Sequence, residues 1–204
     1  MRGRAWRRLG REAAALCPIS STTSSTSSST TTTTTSASTS TPTATMGDGR
    51  SIPMVGLGTY LSDSGDETET SCMDALAQGY RHIDTAQGYD NEASVGRAIV
   101  RSGVDRSELF ICTKLWPGNE AWGDPEPGFD GVLAACAASL QRLGLGFVDL
   151  YLIHAPFSSG KRLEQWRACV ELQRRGSCRS VSPPRLHAAL PAGLRPHAGE
   201  AAPA

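Results

Sequence analysis

Short apolar segments alternate with segments of helical periodicity through the middle of the chain. The apolar segments lie at residues 54–60, 81–86, 109–116 and 148–153, and helical patterns follow them at residues 66–78, 91–101, 129–143 and 162–175. A strand followed by a helix, repeated four times, predicts parallel strands joined by right-handed crossovers. A doubly wound open sheet and a (β/α)8 barrel both fit this α/β pattern. Both place their chemistry at the carboxyl ends of the strands.

The alternating pattern occupies residues 46–182, and the two flanks differ from it in composition. A Gly-Asp-Gly-Arg turn at residues 47–50 predicts a hairpin before the first unit, and residues 178–182 begin one more strand. The leader, residues 1–45, is rich in Arg and then in Ser and Thr, which make up 23 of the 26 residues at 20–45. The tail, residues 183–204, is rich in Pro and Ala. We expect both flanks to be disordered, because neither can bury an apolar core.

Composition excludes several classes of function. The 20 Lys and Arg residues balance the 20 Asp and Glu residues, so neither nucleic acid nor a membrane surface is an expected partner. No apolar run approaches the ~18 residues of a spanning helix. The six cysteines lack the spacing of a metal site, and we expect no metal. A cytoplasmic location is expected, with a mitochondrion or chloroplast as the alternative because the leader has a transit-peptide composition.

Four ionisable side chains follow or end the predicted strands. They are Asp84, Tyr89, Lys114 and His154. A tyrosine hydroxyl titrates near ~10, and a neighbouring ammonium would lower that pKa. A carboxylate would hold the ammonium, and a histidine could donate to a carbonyl oxygen. Such a set suits the reduction of a carbonyl, with a nicotinamide cofactor to supply the hydride. An alternative is a Schiff-base enzyme that uses Lys114 as the nucleophile.

Four motifs in this order resemble the aldo-keto reductase family. They are Ile-Pro-Met-Val-Gly-Leu-Gly-Thr-Tyr at 52–60, Gly-Tyr-Arg-His-Ile-Asp-Thr-Ala-Gln-Gly-Tyr-Asp-Asn-Glu at 79–92, Phe-Ile-Cys-Thr-Lys-Leu-Trp at 110–116, and Val-Asp-Leu-Tyr-Leu-Ile-His-Ala-Pro at 148–156. Their order and spacing make the resemblance specific. It implies a (β/α)8 TIM barrel with an N-terminal hairpin, and NADPH-dependent reduction of a small aldehyde or ketone to an alcohol.

The resemblance also implies a role for each matching residue. Tyr89 would be the general acid, tuned by Lys114 and Asp84, and His154 would orient the carbonyl. The cofactor would contact Gly58, Thr59, Tyr60 and Asp84, and the substrate would contact Tyr89, Trp116 and His154. Ala155 stands where many members of the family carry an aromatic residue, which implies a wider pocket there.

The family pattern stops at residue 182. Pro183 and Pro184 follow where relatives continue through a Gly-Val-Ser-Asn-like segment. Only four complete β/α units are present, whereas a full barrel takes ~250 residues. We therefore expect a partial barrel with weak or absent NADPH binding and with edge strands that could pair in self-association. The alternative function is a catalytically inactive fragment with an interaction or regulatory role, or with none.

Overall fold

The computed structural model describes residues 41–157 and 160–182. Within these residues, the elements follow the order β1–β2–β3–α1–β4–α2–β5–α3–β6–α4–β7. The strands are β1 (Thr43–Thr45), β2 (Ser51–Pro53), β3 (Leu57–Gly58), β4 (His82–Asp84), β5 (Phe110–Leu115), β6 (Val148–Ile153) and β7 (Cys178–Ser182). The α-helices are α1 (Asp66–Ala77), α2 (Glu92–Ser102), α3 (Phe129–Leu143) and α4 (Arg162–Arg174).

Strands β3 to β7 form one parallel sheet in which each strand pairs with the next along the chain. The register aligns Ile83 with Ile111, and Cys112 with Leu150. This arrangement confirms the α/β fold class and the four strand–helix units predicted from the sequence. It also brings the carboxyl ends of all five strands to one edge of the sheet.

The four predicted helices are confirmed, and every end lies within one residue of its predicted position. Gly103 and Gly144 follow α2 and α3 with φ angles of 67° and 66°. This left-handed conformation ends a helix at little cost only for glycine. The predicted strand at residues 54–60 is much shorter in the structure, where only Leu57–Gly58 pairs with β4.

A two-stranded antiparallel hairpin, β1–β2, precedes the parallel sheet. The predicted turn at residues 47–50 is confirmed, since the Met46 amide donates to the Arg50 carbonyl at 2.7 Å. Strand β1 lies within residues that the sequence assigned to a disordered leader, so that boundary was too late. Strand pairing uses main-chain groups and threonine suits it, so a Ser/Thr-rich composition does not exclude a strand. The rest of the leader and the tail at residues 183–204 lie outside the described residues.

The main core lies between the sheet and the four helices. Ile83, Ile111 and Tyr151 are fully buried there against helical residues such as Val95 and Val132. Every residue of β5 is buried except Lys114, which is half-buried. This strand is therefore covered on both faces, as its nearly continuous apolar sequence predicted.

A second, smaller cluster lies on the opposite face of the sheet. Phe110, Cys112 and Leu150 form it, and Met46 and Ile52 of the hairpin pack against them. The hairpin thus covers the inner face near the amino ends of the strands. The predicted site residues lie instead at the carboxyl ends of the strands.

Three features of the described residues can be compared with the predictions made from composition: the state of the cysteines, the grouping of side chains that could bind a metal, and the length of the helices. Five cysteines are free and buried, and Cys17 lies outside the described residues. Over residues 41–157 and 160–182, no group of three or more His, Cys, Asp or Glu side chains could hold a metal ion. None of the helices in this part of the chain has both the length and the apolar character needed to cross a membrane.

Candidate active site

The four predicted ionisable residues meet at the carboxyl edge of the sheet. Asp84 is the last residue of β4, Lys114 is near the end of β5, and His154 follows β6. Tyr89 ends a short 3-10 helix after β4. The parallel register is what brings these neighbours in space together, because it aligns the ends of strands that are distant in the chain.

Lys114 is at the centre of this group. Its ammonium forms an ion pair with the Asp84 carboxylate, donates to the Thr85 carbonyl at 2.9 Å, and lies 3.3 Å from the Tyr89 hydroxyl. Burial works against the positive charge, but the charge of Asp84 and its hydrogen bond leave the pKa of Lys114 raised. A lysine held as the ammonium is a poor nucleophile, and this disfavours the Schiff-base alternative.

Tyr89 bridges Lys114 and His154. Its hydroxyl oxygen lies 3.3 Å from the Lys114 Nζ and 3.3 Å from the His154 Nε2. Burial raises the pKa of Tyr89 and the Lys114 ammonium lowers it, with a raised pKa as the net result. The ammonium lowers the pKa of Tyr89 as the sequence predicted, and desolvation of the buried phenol, which the sequence did not show, is the larger effect. Tyr89 therefore keeps its proton at neutral pH.

His154 is neutral at physiological pH. Burial, together with the nearby Lys114 charge, lowers its pKa to about 4. Its ring meets the Tyr89 ring edge to face, with the two ring centroids 5.3 Å apart. A neutral imidazole has one nitrogen that donates and one that accepts, so His154 can act as a hydrogen-bond donor without carrying charge.

The segment predicted to contact a cofactor lies beside these four residues. Gly58 pairs in register with Asp84, and the Thr59 amide donates to the Asp84 carbonyl at 2.9 Å. The Thr59 side chain is buried and turned into the protein. Tyr60 is 43% exposed, and its ring centroid lies 5.1 Å from that of Tyr89. Gly58 and Tyr60 are therefore exposed at the site, whereas Thr59 is not.

Trp116 belongs to an aromatic wall, which we define as Trp116, Trp122 and Phe157. The Trp116 and Trp122 rings stack with their centroids 6.3 Å apart, and Phe157 lies 5.8 Å from Trp116 and 5.3 Å from Trp122. The Trp116 ring also meets the His154 ring edge to face, at 6.2 Å. Sequence reasoning identified Trp116 and missed the other two. Ala155 lacks the aromatic ring that many members of the family carry at that position, and Phe157, two residues later, contributes a ring to the wall instead. The sequence could have indicated Phe157 by this proximity.

The loop at residues 117–128, which carries Trp122, is anchored to α4 by Gln165. This side chain is fully buried, and its Nε2 donates to the Pro117 carbonyl at 2.8 Å and to the Pro127 carbonyl at 3.2 Å. One amide therefore ties both ends of the loop. Nothing in the sequence pattern of α4 distinguished Gln165 from a surface residue.

A family model described as the aldo/keto reductase family matches residues 55–182. Among curated relatives, an aldo-keto reductase of Mycolicibacterium smegmatis is 45% identical over 142 residues, which is 69% of this chain and 49% of that protein. An aldo-keto reductase of Mycobacterium tuberculosis is 47% identical, over 69% of this chain and 47% of its own length. The chain spans about half the length of the curated relatives it matches.

Solved structures give the same picture. An aldo/keto reductase from Brucella melitensis is 41% identical with a TM-score of 0.64, and the match covers 71% of this chain and 52% of that chain. A Bombyx mori aldo-keto reductase in complex with NADP is 34% identical with a TM-score of 0.61, over 70% of this chain and 50% of that one. The fold of residues 41–157 and 160–182 therefore resembles part of the barrel of these enzymes.

Proposed function

The chain belongs to the aldo/keto reductase family, and we propose that it acts as an NADPH-dependent reductase of small aldehydes or ketones. One observation carries the proposal: the Tyr89 hydroxyl lies within 3.3 Å of both the Lys114 ammonium and the His154 Nε2. The family match supports an oxidoreductase rather than the alternative of an inactive fragment.

Tyr89 is the proposed general acid. A carbonyl oxygen gains a proton as its carbon gains a hydride. Tyr89 has that proton to give at neutral pH, because a tyrosine titrates near ~10 and burial raises the pKa of Tyr89 further. Once the proton has left, the neighbouring Lys114 ammonium stabilises the phenolate. Asp84 keeps that ammonium charged and in place through the ion pair.

His154 is proposed to orient the substrate. Its neutral ring lies beside Tyr89, so a carbonyl oxygen in front of both would meet two hydrogen-bond donors. The aromatic wall stands next to His154 and is proposed to take the apolar part of the substrate. Trp116 is the member of that wall closest in sequence to the site, since it directly follows β5.

NADPH is the proposed cofactor, and when bound it supplies the hydride that no side chain can provide. Gly58, Thr59, Tyr60 and Asp84 would hold it. Three of these residues fit such a group: the Asp84 side chain is 35% exposed, Gly58 is exposed, and Tyr60 is 43% exposed with its ring centroid 5.1 Å from that of Tyr89. The buried Thr59 fits it least. The NADP complex of the Bombyx mori relative supports the choice of cofactor.

The test is turnover by the full chain. Purified protein is mixed with NADPH and a generic aromatic aldehyde, and loss of the reduced nicotinamide absorbance is followed beside direct detection of the alcohol. We expect turnover by the wild type and its loss in Tyr89→Phe, which keeps the ring and removes the acid. Absence of turnover by a folded wild-type chain would overturn the proposal, whether that chain fails to bind NADPH or binds it without reaction, and so would equal rates in the two proteins.

A further inference from the structure

We propose that Asn91 is a positioning residue for this site. In this role, which rests on the proposed function, it ties the turn after β3 to the end of β4. The tie holds Tyr60 against Tyr89 and holds the Thr85 carbonyl against Lys114. Asn91 directly precedes α2 and touches none of the four ionisable side chains in the contacts described above, so it would act through its neighbours.

Asn91 is fully buried, and its amide is surrounded by hydrogen-bond partners. Its Nδ2 donates to the Thr59 carbonyl at 2.8 Å and to the Ser62 carbonyl at 3.2 Å. Its Oδ1 accepts from the Thr85 hydroxyl at 2.9 Å. The Thr59 hydroxyl lies 3.3 Å from this oxygen and 3.3 Å from the Asp84 carbonyl, so its one hydrogen is shared between the two acceptors. The amide therefore joins the two segments, because both Nδ2 donors bind the turn after β3 and Oδ1 binds the side chain of Thr85.

The turn that Asn91 holds is strained. Residues 59–62 form a tight turn in which the Ser62 amide donates to the Thr59 carbonyl at 3.3 Å. Within it, Leu61 has a φ angle of 68°, in the left-handed region that favours glycine. A strained turn persists only where surrounding contacts fix it, and the Nδ2 bonds to both ends of this turn do so. Tyr60, between those ends, is thereby directed at Tyr89.

The other half of the tie reaches Lys114. The Thr85 hydroxyl is bound by Asn91, and the Thr85 carbonyl accepts from the Lys114 Nζ at 2.9 Å. Thr85 is fully buried, so its side chain has no water to replace a lost partner. Releasing that side chain would therefore loosen an acceptor that sets the position of the ammonium.

A matched pair of isosteric substitutions tests the proposal in the full chain. Thr85→Val removes the hydroxyl that binds Asn91. Thr113→Val removes an equally buried hydroxyl in the residue before Lys114, but that hydroxyl donates to the Glu92 carboxylate at 2.6 Å instead. Both variants lose one buried hydrogen bond. The bond lost in Thr113→Val goes to a buried carboxylate, so its general destabilisation should be at least as large as that of Thr85→Val, which makes it a strict control. Asn91→Ala is the third variant and removes the whole tie.

Two measurements are made on each variant that unfolds cooperatively. The first is the kcat and KM of carbonyl reduction. We expect kcat to fall ~10-fold or more in Asn91→Ala and ~3-fold or more in Thr85→Val, with KM nearly unchanged, and to stay within ~2-fold of wild type in Thr113→Val. The second is the nuclear Overhauser effect between the Tyr60 and Tyr89 rings. It should weaken in Asn91→Ala, which loses the Nδ2 bonds to the turn that carries Tyr60, and persist in Thr113→Val.

The other possible results also test the positioning role of Asn91. If Asn91→Ala does not fold, the comparison of Thr85→Val with Thr113→Val stands in its place. If wild type shows no turnover, the proposed reductase function fails, while the ring contact still tests the role of Asn91. Equal effects in Thr85→Val and Thr113→Val, or a wild-type ring contact and kcat in folded Asn91→Ala, would overturn the positioning role.

Discussion

The hydroxyl oxygen of Tyr89 lies 3.3 Å from the Nε2 of His154, although the two residues are 65 positions apart in the chain. Tyr89 sits after β4 and His154 after β6, with β5 between those strands. Because parallel pairing aligns the strand ends, an acid with a raised pKa and a base with a lowered pKa come into contact. Both groups are neutral at pH 7, because burial disfavours the charged form of each side chain.

Tyr89→Phe should abolish turnover and leave the fold intact. The phenylalanine ring retains the packing, and loss of a general acid costs typically 10²–10⁴-fold, so we expect kcat/KM to fall by at least ~100-fold. Tyr80→Phe is the matched control, since Tyr80 is an exposed tyrosine of the same motif. Steady-state rates and thermal unfolding of both variants check this, and an equal loss in Tyr80→Phe would contradict it.

His154 should make stability depend on pH. The folded pKa of about 4 lies below the reference value of 6.5, so the unfolded chain takes up a proton first as the pH falls. The stability contribution is therefore full above pH 6.5 and is lost as the pH falls toward 4. Between pH 7 and pH 5 this amounts to about 2 kcal/mol.

The comparison with His154→Asn isolates that effect from other titrating groups. Urea unfolding of both proteins at pH 7 and pH 5 gives the difference in the free energy of unfolding. Wild type should lose ~2 kcal/mol more than the variant over this interval. Parallel losses in the two proteins would show that His154 is not protected from protonation.

Gln165→Leu should weaken substrate binding more than it slows the chemical step. Loss of the two bonds to Pro117 and Pro127 frees both ends of the loop that carries Trp122. We expect the KM for an aromatic aldehyde to rise by ~3–10-fold and the free energy of unfolding to fall by ~1–3 kcal/mol. Gln173→Leu on the same helix is the control, because its bond to the Arg179 carbonyl is exposed. A KM that does not change in Gln165→Leu would contradict the anchoring role.

Gly96→Ala should destabilise the fold without touching the site. A Cβ at Gly96, in α2, would collide with the main chain of Leu143 at the end of α3, and main chain yields less readily than a flexible side chain. We expect a loss of ~1–3 kcal/mol in the free energy of unfolding, measured with urea. Gly146→Ala meets no atom within 4 Å and serves as the control. Equal stability of the two variants would show that the helices can move apart.

The helices and the long strands could be predicted because their signals are local. The continuous apolar run of β5 predicts a buried strand, and the glycines after α2 and α3 predict the ends of those helices. Each signal lies within a few consecutive residues. The hairpin was predicted from its turn at residues 47–50, but the place of its first strand, β1, was not, because strand pairing depends on main-chain groups that composition does not report. Strand β3 was predicted too long, since apolar residues at 54–56 do not by themselves imply a pairing partner.

For the site, the sequence by itself determined which ionisable residues stand at the ends of parallel strands, and it placed Asp84, Lys114 and His154 there. Only the tertiary structure decided their electrostatics and their support. The net rise in the pKa of Tyr89 depends on burial by residues from several elements. The bond from Gln165 to the Pro117 carbonyl spans 48 positions. Contacts between residues so far apart produce no periodic pattern in the sequence. They can therefore be identified only from the assembled sheet and helices.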